Sequence, residues 1–341
     1  MPTSALPHNV ILRAGLLNEA GLSLRTLGVK RWAILADDTV MELYGGALLG
    51  ALQTAGLQGS TFSFPAGESS KNLDTYAGLL SALALSGFSR EDGIIALGGG
   101  MSGDLAGFVA STYLRGVTLV HIPTTLLAAC DSCLGGKTGL DLPQGKNLIG
   151  TFYPAAKILI DSNVLSTLPG RQFASGLAEV IKCGMIADVT ILDELDKDRP
   201  DLPTLIYKCL CVKADLVAQD ETDLGIRHLL NFGHTFGHAY EAAGKYAAHT
   251  HGEAVAAGMA QMLRWELAHG YDASAAYARL MPLLTRYGLL AELPYTDMEL
   301  RHFLLQDKKH SGDIITIAVV ETPGQARLAE VSLADLWGGA E

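Results

Sequence analysis

Two histidines four residues apart, His234 and His238 in NFGHTFGHA, share one face if the segment is helical, so both imidazoles reach the same side. In HTHGEAVAAG, His249, His251 and Glu253 stand just before another helical pattern, and GLAEVIK supplies Glu179 and Lys182. Two imidazoles and a carboxylate hold a borderline divalent cation such as zinc and leave a position open for a substrate. A lone histidine is more often packed or capping. Several histidines and a glutamate, flanked by small residues that permit close approach, predict a metal site. Spacing leaves the choice of third ligand open.

A second chemistry is written in glycine. Gly98, Gly99 and Gly100 end the apolar run DGIIALGGG and are followed by Gly103, Asp104 and a small-residue helix. Glycine lets the backbone approach closely, and a helix N-terminus offers unpaired N–H groups, so this order predicts contact with a diphosphate. A tight turn of positive φ explains one glycine but not three, although the pattern is not a plain G-x-G-x-x-G. Asp37 ends RWAILAD, where a carboxylate is placed to accept hydrogen bonds from an adenosine ribose; a solvated loop aspartate would look the same. Between residues 115 and 147 the chain gathers Arg115, Thr124, Thr125, Asp131, Lys137, Lys146 and Asn147. The lysines beside glycines, read as loops, are expected to bring ammonium groups and backbone donors to a phosphate. GGKTG resembles the end of a P-loop, but Asp131 stands where the first glycine is required, which excludes that motif.

These groups need elements to position them. Apolar runs RWAILAD, STFSF, DGIIALGGG, VTLVHIPTT and KILID, separated by candidate helices, predict a parallel sheet with crossover connections. From about Thr167 apolar residues recur at helical spacing, as in FASGLAEVIKCGMIA and GEAVAAGMAQMLRWELAHG, and the second half is expected to be mainly helical. The boundary falls near NVLSTLPGR, and DIITIAVVE with RLAEV is expected to form a late strand pair.

At 341 residues the chain is expected to form two domains. A formal net charge of −11 argues against nucleic acid or an anionic membrane as partner, because both need a broad positive field. No stretch has the apolar length of a spanning helix and the start lacks a signal-peptide pattern, so a cytoplasmic enzyme is expected. The five cysteines do not suggest a disulfide framework, and C-D-S-C at Cys130 and Cys133 lacks the surroundings of a redox pair.

The segments GGGMSGDLAGFVASTYLRG, IPTTLLAACDSCLGGKTG, GKNLIGTFY, GLAEVIK, LLNFGHTFGHA and HGEAVAAGM, in this order over nearly the whole chain, resemble the 3-dehydroquinate synthase family of sugar-phosphate cyclases. The resemblance implies an α/β Rossmann-like N-terminal domain with a parallel sheet, residues 1–166, binding NAD. It also implies a mainly α-helical C-terminal metal- and substrate-binding domain, residues 167–341. Metal ligands implied by it are Glu179, His234 and His251, for zinc or cobalt. Implied NAD contacts are Asp37, Glu68, Lys71, Gly99, Gly100, Asp104, Thr124, Thr125, Thr167 and Leu168, with Asp131 and Lys146 near the nicotinamide and its ribose. Implied contacts to substrate carboxylate and hydroxyls are Asp131, Lys137, Lys182, Lys213, Arg227, Asn231 and Lys308. Phosphate falls to Lys137, Asn147, Asn231, His238 and Lys308, with Arg115 reaching in from the partner of a homodimer, and His238 also serves proton transfer.

The implied reaction turns 3-deoxy-D-arabino-heptulosonate 7-phosphate into 3-dehydroquinate and phosphate by transient oxidation with NAD, elimination, reduction and aldol closure, a step of aromatic amino acid biosynthesis. Lys213, Asn231 and Lys308, which commonly change in relatives acting on other sugar phosphates, favour this substrate. A metal-dependent polyol dehydrogenase would need no lysine set, and a noncatalytic pocket protein would not retain every ligand and base. Three departures stand out: Met101 and Ser102 replace a usual branched pair, Cys130 and Cys133 replace other small residues, and His249 competes with His251 as ligand.

Overall fold

The computed structural model describes residues 5–307 and 314–336. The chain divides into two compact units, Leu6–Leu168 and one that begins at Pro169.

In the first unit six strands form one sheet, β1 (Val10–Leu12), β2 (Arg31–Asp37), β3 (Gln58–Phe64), β4 (Gly93–Gly98), β5 (Thr118–Pro123) and β8 (Lys157–Ile160). Their order is β1-β8-β5-β4-β2-β3 and every pairing is parallel. All six residues of β4 are buried, which is why its run carries no polar alternation, whereas edge strand β3 shows more exposed positions. Helices α1 (Ala20–Arg25), α2 (Gly46–Thr54), α3 (Leu73–Leu85) and α4 (Gly100–Thr112) fall between the strands.

The basic segment read as loops is instead an antiparallel pair, β6 (Lys137–Leu142) with β7 (Gly145–Phe152). Its strands escape a hydrophobic-pattern reading because β7 has no buried residue. Glycine makes the pair possible at its middle: Gly139 lies opposite Gly150, and a Cβ on Gly150 would sit 2.3 Å from the Thr138 carbonyl oxygen. The short β1 was also not anticipated, since three residues carry no readable period.

The second unit is built from α5 (Gly170–Ile186), α6 (Val189–Leu195), α7 (Leu202–Gln219), α8 (His234–Ala243), α9 (His251–Ala268), α10 (Ser274–Arg286) and α11 (Asp297–Asp307). The anticipated late strands are present as antiparallel β9 (Ile314–Thr322) and β10 (Gln325–Ser332). Helix α5 is buried from Ser175 to Ile186, and α9 packs against both α5 and α8. Backbone-to-backbone approach explains the small residues here. A Cβ on Gly258 of α9 would lie 2.1 Å from the carbonyl oxygen of Gly233, the capping residue just before α8 with φ near +79°, and a Cβ on Gly252 would lie 2.0 Å from the Ser175 carbonyl oxygen. Asp188, Asp201 and Thr250 cap the starts of α6, α7 and α9, each accepting a backbone N–H in the first turn. Among the described residues no helix is long and apolar enough to cross a membrane.

Candidate active site

Helices α5, α8 and α9 each deliver one donor to a common point. Glu179 projects from the buried part of α5, His234 is the first residue of α8, and His251 is the first residue of α9. The donor atoms of these three residues lie within 4.8 Å of one another. That is close to the ~4.2 Å that two metal bonds of ~2.1 Å can span, so small side-chain adjustments suffice. Glu179 is wholly buried, and its Oε1 accepts no hydrogen bond while facing Nε2 of His251 at 3.4 Å and Nε2 of His234 at 3.7 Å. A buried carboxylate oxygen in that position is costly unless a cation completes it, so the donor set fits a divalent metal.

Electrostatics follow from the same packing. Burial alone would raise the pKa of Glu179, but the Lys182 ammonium paired with it and the two imidazoles hold it well below the usual carboxylate range. Burial and the nearby Lys182 push His234 well down, keeping it a neutral donor. On His251 burial is outweighed by Glu179 and Glu241, and its pKa rises to about 10. Cation binding at these donors therefore competes with a proton. His238 stacks edge-on to His234 with ring centroids 5.5 Å apart and is exposed, so the one-face expectation for the i, i+4 pair holds. His249 lies outside the donor cluster; its Nε2 hydrogen-bonds the Tyr295 hydroxyl at 3.0 Å.

The α9 start is fixed by a capping box. Thr250 accepts from the backbone N–H of Glu253 while Glu253 accepts from that of Thr250. Arg171 grips the same Glu253 carboxylate with two bonds of 2.7 Å and reaches the Ala248 carbonyl, so Glu253 serves structure. Lys213 and Arg227 are buried cations of this unit, and Arg227 donates to the Glu221 carbonyl at 2.9 Å. Asn231 is exposed at the end of the turn Ile226–Asn231, and Lys308 lies outside the described residues.

The first unit presents a different kind of site. Helix α4 begins directly after the glycine run. Gly99 occupies its capping position without a side-chain cap, and no acidic residue stands in the first turn, so no side chain caps the terminal N–H groups at the positive end of the helix dipole. The glycines are demanded by neighbours. A Cβ on Gly98, whose φ is near +154°, would lie 2.6 Å from the Ser102 Cβ, and one on Gly99 would lie 2.9 Å from Thr125 Cγ2. Thr124 N–H donates to the Gly98 carbonyl, and Thr125 Oγ1 accepts from Ala128 N–H. Asp37 is nearly buried; its oxygens accept from Val40 N–H at 3.0 Å and from the Ser102 hydroxyl at 3.2 Å.

Lys71 joins two other predicted residues, Asp104 and Asn147, into one cluster. Its buried ammonium donates to Asp104 at 2.6 Å and to the Asn147 side-chain oxygen at 2.5 Å, with Asp141 at 4.0 Å. Lys146 pairs with Glu68 at 3.6 Å. Asp141 had no signal in the sequence reading beyond its place between the two lysine–glycine segments. Thr167 bonds Tyr44 and Val164, and Leu168 ends the unit. Lys137 and Arg115 are exposed, and Arg115 follows Leu114 in two successive left-handed conformations, an unusual run for residues other than glycine. Asp131 sits in a π turn, Ala128–Ser132, beside Cys130 and Cys133, which are buried thiols packed as small apolar groups.

Sequence comparison places this architecture. A profile for the 3-dehydroquinate synthase N-terminal region matches residues 61–175, and one for the 3-dehydroquinate synthase C-terminal region matches residues 176–310. A 3-dehydroquinate synthase of Streptococcus suis is 40% identical over 339 residues, covering 97% of this chain and 96% of the relative. Its counterpart in Neisseria meningitidis is 41% identical over 344 residues, covering 98% and 96%. Among solved structures, ValA (2-epi-5-epi-valiolone synthase) from Streptomyces hygroscopicus with NAD+ and Zn2+ aligns with a TM-score of 0.87 at 26% identity, covering 98% of this chain and 95% of that one. A 2-deoxy-scyllo-inosose synthase complexed with carbaglucose-6-phosphate, NAD+ and Co2+ aligns at 0.85 and 25%, covering 96% and 94%. An iron-containing alcohol dehydrogenase, at 0.67 and 14%, shares the fold. With both regional profiles matched and near-complete coverage at 40% and 41% identity, the chain belongs to the 3-dehydroquinate synthase family.

Proposed function

We propose that this chain converts 3-deoxy-D-arabino-heptulosonate 7-phosphate into 3-dehydroquinate and inorganic phosphate, with NAD and a divalent metal, zinc or cobalt. The observation that carries this reading is the Glu179–His234–His251 donor cluster with Lys182 and His238 beside it. When bound, NAD+ supplies a reversible hydride acceptor and the cation polarises the hydroxyl being oxidised.

The protein's own residues then do the following. Glu179, His234 and His251 hold the ion, and Lys182 balances the Glu179 charge. His238, exposed on the same helix face, moves the proton and meets the leaving phosphate. Lys137, Asn147, Asn231 and Lys308 neutralise that phosphate, joined by Arg115 supplied across a homodimer. Lys213 and Arg227 are buried cations suited to the substrate carboxylate. The start of α4, with Gly99 and Gly100, takes the dinucleotide phosphates. Asp37, Glu68, Lys71, Asp104, Thr124, Thr125, Asp131, Lys146, Thr167 and Leu168 shape the rest of the cofactor site. Support for a dimer is the exposed pair Leu148 and Phe152 on β7, in the same unit as Arg115. A cytoplasmic setting is supported by five buried thiols. Identity of 25% and 26% to synthases of other carbocycles, against 40% and 41% to the relatives named above, favours the carboxylated substrate.

The test is to supply the purified chain with catalytic NAD+, Co2+ and the heptulosonate phosphate, and to follow phosphate, 3-dehydroquinate and the NADH absorbance band. Both products without accumulated NADH are expected. Accumulating NADH without phosphate would assign a dehydrogenase, and no turnover would defeat the proposal.

A further inference from the structure

His251 is held between two carboxylates, one on each ring nitrogen. Its Nε2 faces Glu179 at 3.4 Å, and its Nδ1 faces Oε2 of Glu241 at 3.4 Å. Glu241 lies three residues after His238 and seven after His234, so α8 presents all three on one face. It is 4% exposed, a costly place for a carboxylate that serves no partner. His234 is served differently: its Nδ1 faces the Phe232 carbonyl at 3.3 Å. Each imidazole thus has an acceptor on the nitrogen turned away from the donor cluster, a carbonyl in one case and a carboxylate in the other.

We propose that Glu241 is a positioning residue of the metal centre. It accepts the Nδ1–H of His251, which places the lone pair on Nε2, orients the ring and strengthens the donor. An imidazole carrying its proton on Nε2 has no lone pair to offer the ion there, so the choice of tautomer decides whether His251 is a ligand. The inference rests on the metal reading of Glu179, His234 and His251.

The test titrates metal-free full-length chain with CoCl2, reading affinity and the cobalt ligand-field absorption, for wild type, Glu241→Gln, Glu241→Ala and a His234→Ala control. Glu241→Ala is expected to weaken Co2+ by roughly 10- to 100-fold and to shift the ligand-field band, with Glu241→Gln intermediate. NAD+ affinity, read on the same samples, is expected to be unchanged, which separates loss of positioning from loss of fold. Should Glu241→Ala fail to fold, the near-isosteric Glu241→Gln carries the test. Wild-type affinity and spectrum in Glu241→Gln would overturn the proposal while leaving the metal site standing. Failure of wild type to bind Co2+, or of His234→Ala to weaken it, would instead overturn the metal reading itself.

Discussion

The two units solve the problem of holding a reagent in opposite ways. Around the Gly98–Gly100 turn the first unit offers mainly backbone: terminal N–H groups of α4 and three residues without side chains, cleared by contacts as near as 2.6 Å. Around Glu179 the second unit offers side chains, brought from three helices to within 4.8 Å. In the first case chemistry depends on what is absent from the side chains, and in the second on what is present. Glycine recurs in the second unit too, but as a spacer: Gly233 and Gly258 let α8 and α9 meet backbone to backbone, carrying His234 and His251 together.

That contrast predicts separable damage. His234→Ala should lower phosphate release on the order of 10³-fold by removing a metal ligand, with NAD+ affinity preserved. Gly98→Ala should do the converse, weakening NAD+ by about 1–3 kcal/mol through backbone strain and the Ser102 collision, with Co2+ affinity preserved. Equilibrium titrations of both ligands on both variants check this, and a variant that loses both in parallel would break the distinction.

A smaller effect belongs to the scaffold of the second unit. Glu266 on α9 is fully buried and accepts the Val320 N–H of β9 with both oxygens, at 3.2 and 3.0 Å. Burial, more than the neighbouring Glu321, raises its pKa from 4.5 to about 7 despite the Val320 bond and Arg327. Because the folded state holds this proton more tightly than the unfolded chain, the contribution to stability is full below about pH 4.5 and is lost as pH rises through about 7. Glu266→Gln, which keeps an acceptor, should erase that slope and leave the variant more stable than wild type above pH 7, by about 3 kcal/mol at most. Denaturant melts across this range decide it; parallel curves for the two proteins would refute the assignment.

The smallest expectation sharpens the ligand choice. His249→Phe should leave Co2+ affinity within about twofold, since that imidazole is engaged by Tyr295 outside the donor cluster. A loss comparable to that in His234→Ala would reinstate His249 as a ligand.

How much was legible divides along physical lines. Strands β2, β4, β5 and β8 announced themselves because buried parallel strands are continuous apolar runs. The β6–β7 pair did not, because β7 buries nothing and its register rests on backbone pairing at Gly139 and Gly150. The His234–His238 relation was readable because helical periodicity places i and i+4 side by side. Glu241 lay on that same face and its spacing was available, but its burial and its contact with His251 were not.

The sequence by itself determined which chemistries the chain has in stock: glycine without side chains before a helix, lysines in an acidic chain, and imidazoles at helical spacing, since local period and residue type act within a few positions. Only the tertiary structure decided which of these residues meet. Glu179 precedes His234 by more than a dozen helical turns of chain, and no local pattern links them. Their approach is set by close packing of α9 against α5 and α8, which follows from summed burial over whole helices and from glycines that remove the atoms in the way.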